Sequence, residues 1–325
     1  MKKITIMPLL AALLLTTACT KVIEFDGDET ESQPVLISHV EADSLMTLRL
    51  SYSRFFLSAK PYQAIGNAVI HADLNGTTST SQFTYQDNGI YRSNFPLHEN
   101  DTITLHISIP DKGEITAGCR VPLRPVVDDI TVTPDITVDT PYYDHTQNTF
   151  NASAWGDINF TFRLHDPAAP GNCYMVRAYI IDSATGQQRE QYIYLNDNIL
   201  YDEDVANDYL DIGTGIDYSS GRQAYFTDER INGTAHTVQG HINVNFHYTS
   251  TLYIDVCAIS RDDYLFYITL HSQQSSDDVL GFVSEPVQIH SNVEGGIGIL
   301  GAMSPRHIEL YKLTLSNGTQ PTDKK

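Results

Sequence analysis

The chain is short of positive charge, tryptophan, cysteine and extended apolar runs, and each shortage excludes something. Its 325 residues carry 20 Lys and Arg against 40 Asp and Glu. A polyanion of that size repels phosphate backbones and anionic membrane surfaces, which argues against nucleic-acid binding. Four cysteines are present, and one of them, Cys19, falls in the leader. The remaining three are an odd number, so at least one thiol has no partner within a monomer. The apolar run at Ile4 to Leu15, interrupted by Thr5 and Pro8, is too short for a membrane-spanning helix. The single Trp stands beside 19 Tyr and 12 Phe, a usage that favours strands.

What is present begins with that leader. Lys2 and Lys3 precede the apolar run, and Thr16-Thr17-Ala18-Cys19 closes it. This is the secretory-signal pattern. Small residues followed at once by cysteine resemble a bacterial lipobox, in which Cys19 is lipidated and becomes the mature N-terminus. Removing residues 1–18 takes two lysines and leaves 18 cations against 40 anions, a balance of −22. Residues 19–33 read as an acidic tether lifting the folded part off a bilayer.

From Pro34 the pattern is that of strands. Met46, Leu48, Leu50 and Tyr52 alternate with polar neighbours, as do Ile103, Leu105, Ile107 and Ile109. Turn pairs such as Asn75-Gly76 and Asn88-Gly89 separate them. Short alternating strands at this spacing predict an antiparallel, Ig-like β-sandwich over 34–122. Pro122 to Pro125 is the expected boundary, because prolines end ladders and stiffen linkers. A second, β-rich domain is expected over 123–317, opening with a turn-rich stretch from Pro134 to Gly156 and followed by a polar tail at 318–325. Within it Ile158, Phe160, Phe162 and Leu164 alternate with Asn159, Thr161 and Arg163, and Ile242, Val244 and Phe246 with His241, Asn243, Asn245 and His247. At Ser260-Arg261-Asp262-Asp263 the period changes, with an N-cap and an acid three places on. One helix is predicted from Arg261 to about Gln274, with Tyr264, Tyr267, Ile268 and His271 on one face. The fold class is therefore mainly β, two antiparallel sandwich-like domains, the second with one packed helix.

Signals for chemistry are sparse. Gly296-Ile297-Gly298-Ile299-Leu300-Gly301 matches G-x-G-x-x-G, but Met303-Ser304-Pro305 opens no helix to hold a pyrophosphate. A tight turn is the expected structure there. The acid-rich stretch between Arg189 and Arg222 lacks the order of a calcium loop. Its Tyr201, Tyr209 and Tyr218 are the candidate anchors for a ligand or partner. His241 and His247, six residues apart on one strand face, are too far apart to share a zinc ion. No H-E-x-x-H or G-x-S-x-G is present. No catalytic, cofactor or metal residues are assigned. Cys119 continues an apolar register and should be a buried free thiol. Cys173 and Cys257 leave the aliphatic registers of their strands and could pair with each other in an oxidising envelope.

Four ordered segments carry a family resemblance. They are Phe162-Arg163-Leu164-His165-Asp166-Pro167 with Gly171-Asn172-Cys173-Tyr174; Phe226 through Gly233; Ile259-Ser260-Arg261-Asp262-Asp263-Tyr264; and Glu285-Pro286-Val287 with Ser291 through Ile299. Together they resemble the Bacteroidetes envelope lipoproteins catalogued as domain of unknown function 4249. The resemblance implies anchoring in the outer membrane through Cys19, with exposure at the cell surface or, as the alternative, at the periplasmic face, and company with a TonB-dependent transporter whose nutrient uptake the protein assists. It carries no catalytic residues and no cofactor. The alternative expectation is a structural or adhesive surface protein.

Overall fold

The computed structural model describes residues 31–55, 58, 60–79, 83–110, 112–139, 142–144, 149–151, 153–183, 185–197, 199–200, 220–247, 249–279 and 288–314. In chain order the first strands are β1 (Pro34–Glu41), β2 (Ser44–Tyr52), β3 (Val69–Leu74), β4 (Thr77–Ser79) and β5 (Phe83–Tyr85). Next come β6 (Ile90–Leu97), β7 (Thr102–Ile109), β8 (Gly113–Arg120) and β9 (Val126–Val138). They are followed by β10 (Tyr142–Asp144), β11 (Thr149–Asn151), β12 (Ser153–His165), β13 (Cys173–Asp182), β14 (Gln188–Gln191) and β15 (Ile193–Leu195). The last are β16 (Ser220–Gly221), β17 (Gln223–Thr227), β18 (Ala235–His247), β19 (Ser250–Ile259), helix α1 (Arg261–Val279), β20 (Val293–Glu294) and β21 (Ile297–Leu313).

A nine-stranded sheet runs through both halves of the chain in the order β14-β13-β19-β21-β1-β2-β6-β5, with β17 also pairing β13. One five-stranded sheet, β16-β15-β18-β12-β9, packs on its C-terminal half, and another, β20-β8-β7-β3-β4, on its N-terminal half. Alternation makes both layers. Phe160, Phe162, Val176, Ile180, Ile242, Val244, Ile254 and Val256 meet in one apolar core. Leu36, Leu48, Leu50, Ile103, Leu105 and Ile107 meet in the other. The fold class is as the period-two pattern predicts: mainly β, antiparallel sheets in sandwich layers, and one helix among the described residues.

The boundary at Pro122 to Pro125 does not separate two self-contained sandwiches. β21 pairs in parallel with β1, from Val35↔Ile297 to Glu41↔Met303, and antiparallel with β19 on its other side. β20 adds an edge to β8, and Val293, Leu300 and Ala302 lie in the N-terminal core. The last strands of the chain thus complete the first sandwich. A sequence pattern could not reveal this, because parallel pairing between distant strands leaves no local turn signal.

The tight turn expected at the glycine-rich run is confined to Gly295 and Gly296, and from Ile297 the run is the start of β21. Gly298 has φ 121°, and a β-carbon there would overlap the Leu36 carbonyl oxygen. Only glycine allows β1 and β21 to come this close. Pro305 is tolerated because the β1 ladder ends at Met303, leaving the strand one neighbour. The described residues within 134–156 hold more strand than the turn residues there suggest. β9 runs through Pro134 to Val138 as an edge strand, where a proline costs no ladder bond on the open side, and β12 begins at Ser153.

Helix α1 lies on the outer face of the large sheet and extends to Val279, five residues beyond the expected end. Ile268, with Tyr264 and Tyr267, packs on Cys173, Met175, Tyr225, Cys257, Ile259 and Met303. Ser260 is its N-cap, its Oγ accepting from the Asp263 N–H at 3.4 Å and the Ala302 N–H at 3.1 Å. Among the described residues no helix is long and apolar enough to cross a membrane.

Candidate functional site

Two polar surfaces emerge from this frame. The first is the outer face of the nine-stranded sheet beside α1. Residues alternate across β13, so Val176, Ala178 and Ile180 enter the core while Arg177 and Tyr179 face outward. Across β19 and β21 the register brings Arg177, Asp255 and His307 into one row. Asp255 is fully buried and accepts from Arg177 Nε at 2.9 Å, Tyr179 Oη at 3.2 Å and His307 Nδ1 at 2.6 Å. Glu41 of β1 lies 3.6 Å from the same guanidinium. Burial, and then the Asp255 charge, pushes the Tyr179 hydroxyl well above its ordinary range. A carboxylate with three donors is satisfied, and its work is to join three strands.

Next to this row, Asp263 of α1 meets His39 of β1 at 2.7 Å. His39 stacks on Tyr267, ring centroids 5.2 Å apart, and tilts against Phe266. A capping-box acid would turn back to the N-cap N–H, but Ser260 N already donates to Ala302 O at 2.7 Å. Asp263 instead occupies the space left by Gly301, which has no β-carbon. Its carboxyl is fully buried and its Oδ2 has no hydrogen-bond partner among the described residues. Burial pushes its pKa up, with His39 opposing. The sequence marked Asp263 only as a cap acid, and nothing local linked it to a histidine more than two hundred residues earlier.

The family-like segments at Asp166, Gly171-Asn172 and Asp228 form a clamp between two loops. Asp166 accepts from Tyr174 Oη at 2.6 Å and the Gly233 N–H at 2.9 Å. Asp228 accepts from the Gly171 N–H at 3.1 Å and from the Asn172 N–H and Nδ2, both at 2.9 Å. Both aspartates are buried. Their role is to satisfy loop N–H groups that would otherwise be stranded.

The thiols do not pair. Cys119, Cys173 and Cys257 are free and buried. Cys119 is the buried free thiol expected. Cys173 stands opposite Ile259 and Cys257 opposite Met175, so the two cysteines are offset by two residues on neighbouring strands. They leave the aliphatic register, as expected, but only to pack beneath α1. Burial pushes the Cys119 and Cys173 thiols up to about 12 and Cys257 higher still. Among the described residues no group of three or more His, Cys, Asp or Glu is placed to hold a metal. Cys19, Tyr201, Tyr209 and Tyr218 lie outside the described residues.

The second surface is the outward face of the five-stranded sheet. There β12 presents Trp155, Asp157 and Asn159, and β18 presents His241, Asn243 and Asn245. Asn159 is in register with His241, and His241 with Tyr194 of β15. The Tyr194 and His241 rings stack at 4.7 Å and 7°. Trp155 is 54% exposed. The alternation of β12 and β18 predicted this face, but Trp155 was hidden in the stretch read as turns.

A protein-family model described as Domain of unknown function (DUF4249) matches residues 20–309. No curated protein matches the chain.

Proposed function

The chain belongs to the family described as Domain of unknown function (DUF4249), and from that premise we propose that it is a lipid-anchored, non-catalytic binding protein of the outer membrane that assists a TonB-dependent transporter. The observation that carries this reading is the leader, in which Lys2-Lys3, the apolar run and Thr16-Thr17-Ala18-Cys19 place an acyl acceptor ahead of the folded part. From Cys19 to Pro34 an extended chain reaches on the order of 50 Å, enough to hold the sheets clear of headgroups. The balance of −22 without the leader suits such a position, since it keeps the fold from lying down on an anionic surface.

The polar groups of the fold support a binding role. Asp166, Asp228 and Asp255 are each occupied by two or more donors from neighbouring strands and loops. Their commitment is to the frame. The outward face of the five-stranded sheet, by contrast, offers exposed side chains on rigid strands.

The test is purification of the tagged, full-length protein from its own outer membrane in mild detergent, with mass spectrometry of what accompanies it. A stoichiometric β-barrel transporter is the expected companion. Recovery of the protein alone, or only with copies of itself, would overturn the accessory role in favour of an adhesive one.

A further inference from the structure

We propose that the outward face of the five-stranded sheet is a glycan platform that takes a neutral polysaccharide chain across Trp155 and the Tyr194–His241 pair. This supplies a ligand class for the accessory role above and rests on that reading only for where the glycan goes next.

The geometry is that of a sheet face pre-formed by its ladders. Trp155 lies four residues along β12 from Asn159, and Tyr194 two strands across from β12. At about 3.3 Å per residue and 4.8 Å per strand, the two aromatic positions are roughly 16 Å apart, a span suited to a short run of linked pyranose rings. Between them lie Asp157, Asn159 and Asn243, and Asn243 Nδ2 donates to Asp157 Oδ1 at 3.2 Å, which fixes their spacing. Both ends are held by ladders: β12 pairs β9 and β18, and β18 pairs β15.

The chemistry selects the ligand. A pyranose offers a face of polarised C–H groups and a rim of hydroxyls that donate and accept. Aromatic faces carry negative quadrupole density that attracts the C–H face. Carboxamides both donate and accept, and carboxylates accept, in the forked patterns that vicinal hydroxyls match. An anionic ligand is disfavoured by Asp157 on the face and by the balance of −22 that remains without the leader. A protein partner would call for a desolvated apolar centre, whereas this face is carboxamide, carboxylate and imidazole around isolated rings. A sheet face presents its groups in rows along and across the strands, which suits a linked chain more than a single sugar.

Trp155 is the only tryptophan of the protein, so its fluorescence reports on this face alone. The full-length protein in detergent micelles would be titrated with maltoheptaose, cello-, xylo-, manno- and laminari-oligosaccharides, with a heparin oligosaccharide as the anionic control. A saturable blue shift or quench with at least one neutral oligosaccharide is expected. Its midpoint should weaken about tenfold in N159A and in N243A, surface changes at hydrogen-bonding groups. Native gels containing starch, xyloglucan, mannan or laminarin should retard the wild type and not W155A. Emission unchanged across the neutral panel, a response to heparin alone, or midpoints unmoved in both asparagine variants would overturn the proposal. Glycan binding without a co-purified transporter would fault the accessory role and leave the platform standing; a transporter without glycan binding would do the reverse.

Discussion

Asp263 of α1 lies against Gly301 of β21 so closely that a β-carbon on Gly301 would overlap the aspartate carboxyl group. The helix N-terminus is thus seated on a position of the central strand that leaves it room. Gly301→Ala should destabilise the protein by about 1–3 kcal/mol, the usual cost of overpacking. In an Asp263→Ala background most of that cost should vanish, since the clashing group is gone. Urea denaturation of the four species measures the coupling, and strict additivity would refute the relationship.

The same carboxyl predicts a pH dependence. Burial raises the pKa of Asp263 in the folded chain above its unfolded value, against the pull of His39. The folded state therefore binds this proton more tightly. The associated stability is complete below about pH 4 and is lost as the pH rises through the folded value. Asp263→Asn, which cannot ionise, should gain on the wild type as the pH rises from the acid range to neutrality. Urea midpoints of both proteins across that range give the answer. A constant difference would show that Asp263 does not titrate in this window.

These features separate what the sequence made legible from what it did not. Alternation at Ile158 to Leu164 and Ile242 to Phe246 assigned core and surface correctly, because period-two burial is a local property. The start of α1 was legible from Ser260 and its acid, since capping is also local. The partners of Asp263, Asp255 and Asp228 were not, for each meets residues dozens to hundreds of positions away. Nor was the course of β9 through Pro134, where an open sheet edge removes the usual penalty. Gly298 and Gly301 read as a motif in the sequence, whereas their cause is close approach to Leu36 and Asp263.

The buried row on the large sheet predicts an asymmetric mutational response. Asp255→Ala leaves the Arg177 guanidinium with Glu41 at 3.6 Å and should cost about 3 kcal/mol. Replacing both partners by apolar residues, Arg177→Met with Asp255→Leu, should recover a large part of that loss, because neither charge of the pair is left buried alone, while Glu41 and His307, which lose a partner, keep contact with solvent. Equilibrium unfolding compares the two. A double variant as unstable as the single one would mean that the pair contributes more than mutual neutralisation.

The loop clamp should be local in its effect. Asp228→Ala strands the N–H groups of Gly171 and Asn172 and should cost about 2–3 kcal/mol. Amide exchange should accelerate at 171–172 before it does in β13. Asp228→Asn, which keeps one acceptor, should be milder. Equal acceleration throughout β13 would show that the clamp supports the strand as a whole.

Free, deeply buried thiols predict chemical inertness. At pH 8 Ellman's reagent should leave the native protein unmodified at Cys119, Cys173 and Cys257, whose burial keeps the reactive thiolate scarce. After denaturation without reductant all three should react. Mass mapping under the same conditions should find no Cys173–Cys257 peptide pair; finding one would overturn the assignment.

The path of β21 bears most directly on how the chain folds. A fragment of residues 34–122 contains every strand that the sequence pattern assigns to the first sandwich, and on that pattern it should fold alone. In the structure, however, β1 has β21 as its second neighbour along seven registered pairs. Val293, Leu300 and Ala302 supply buried surface to the same core. Removing them bares one side of β1 and a run of unpaired backbone groups, a state prone to aggregation. The fragment should therefore lack cooperative unfolding and near-ultraviolet circular dichroism, while the same fragment mixed with a peptide spanning residues 291–313 should regain part of both. A cooperative, monomeric fragment would restore the boundary at Pro122 to Pro125 and reduce β21 to an external brace.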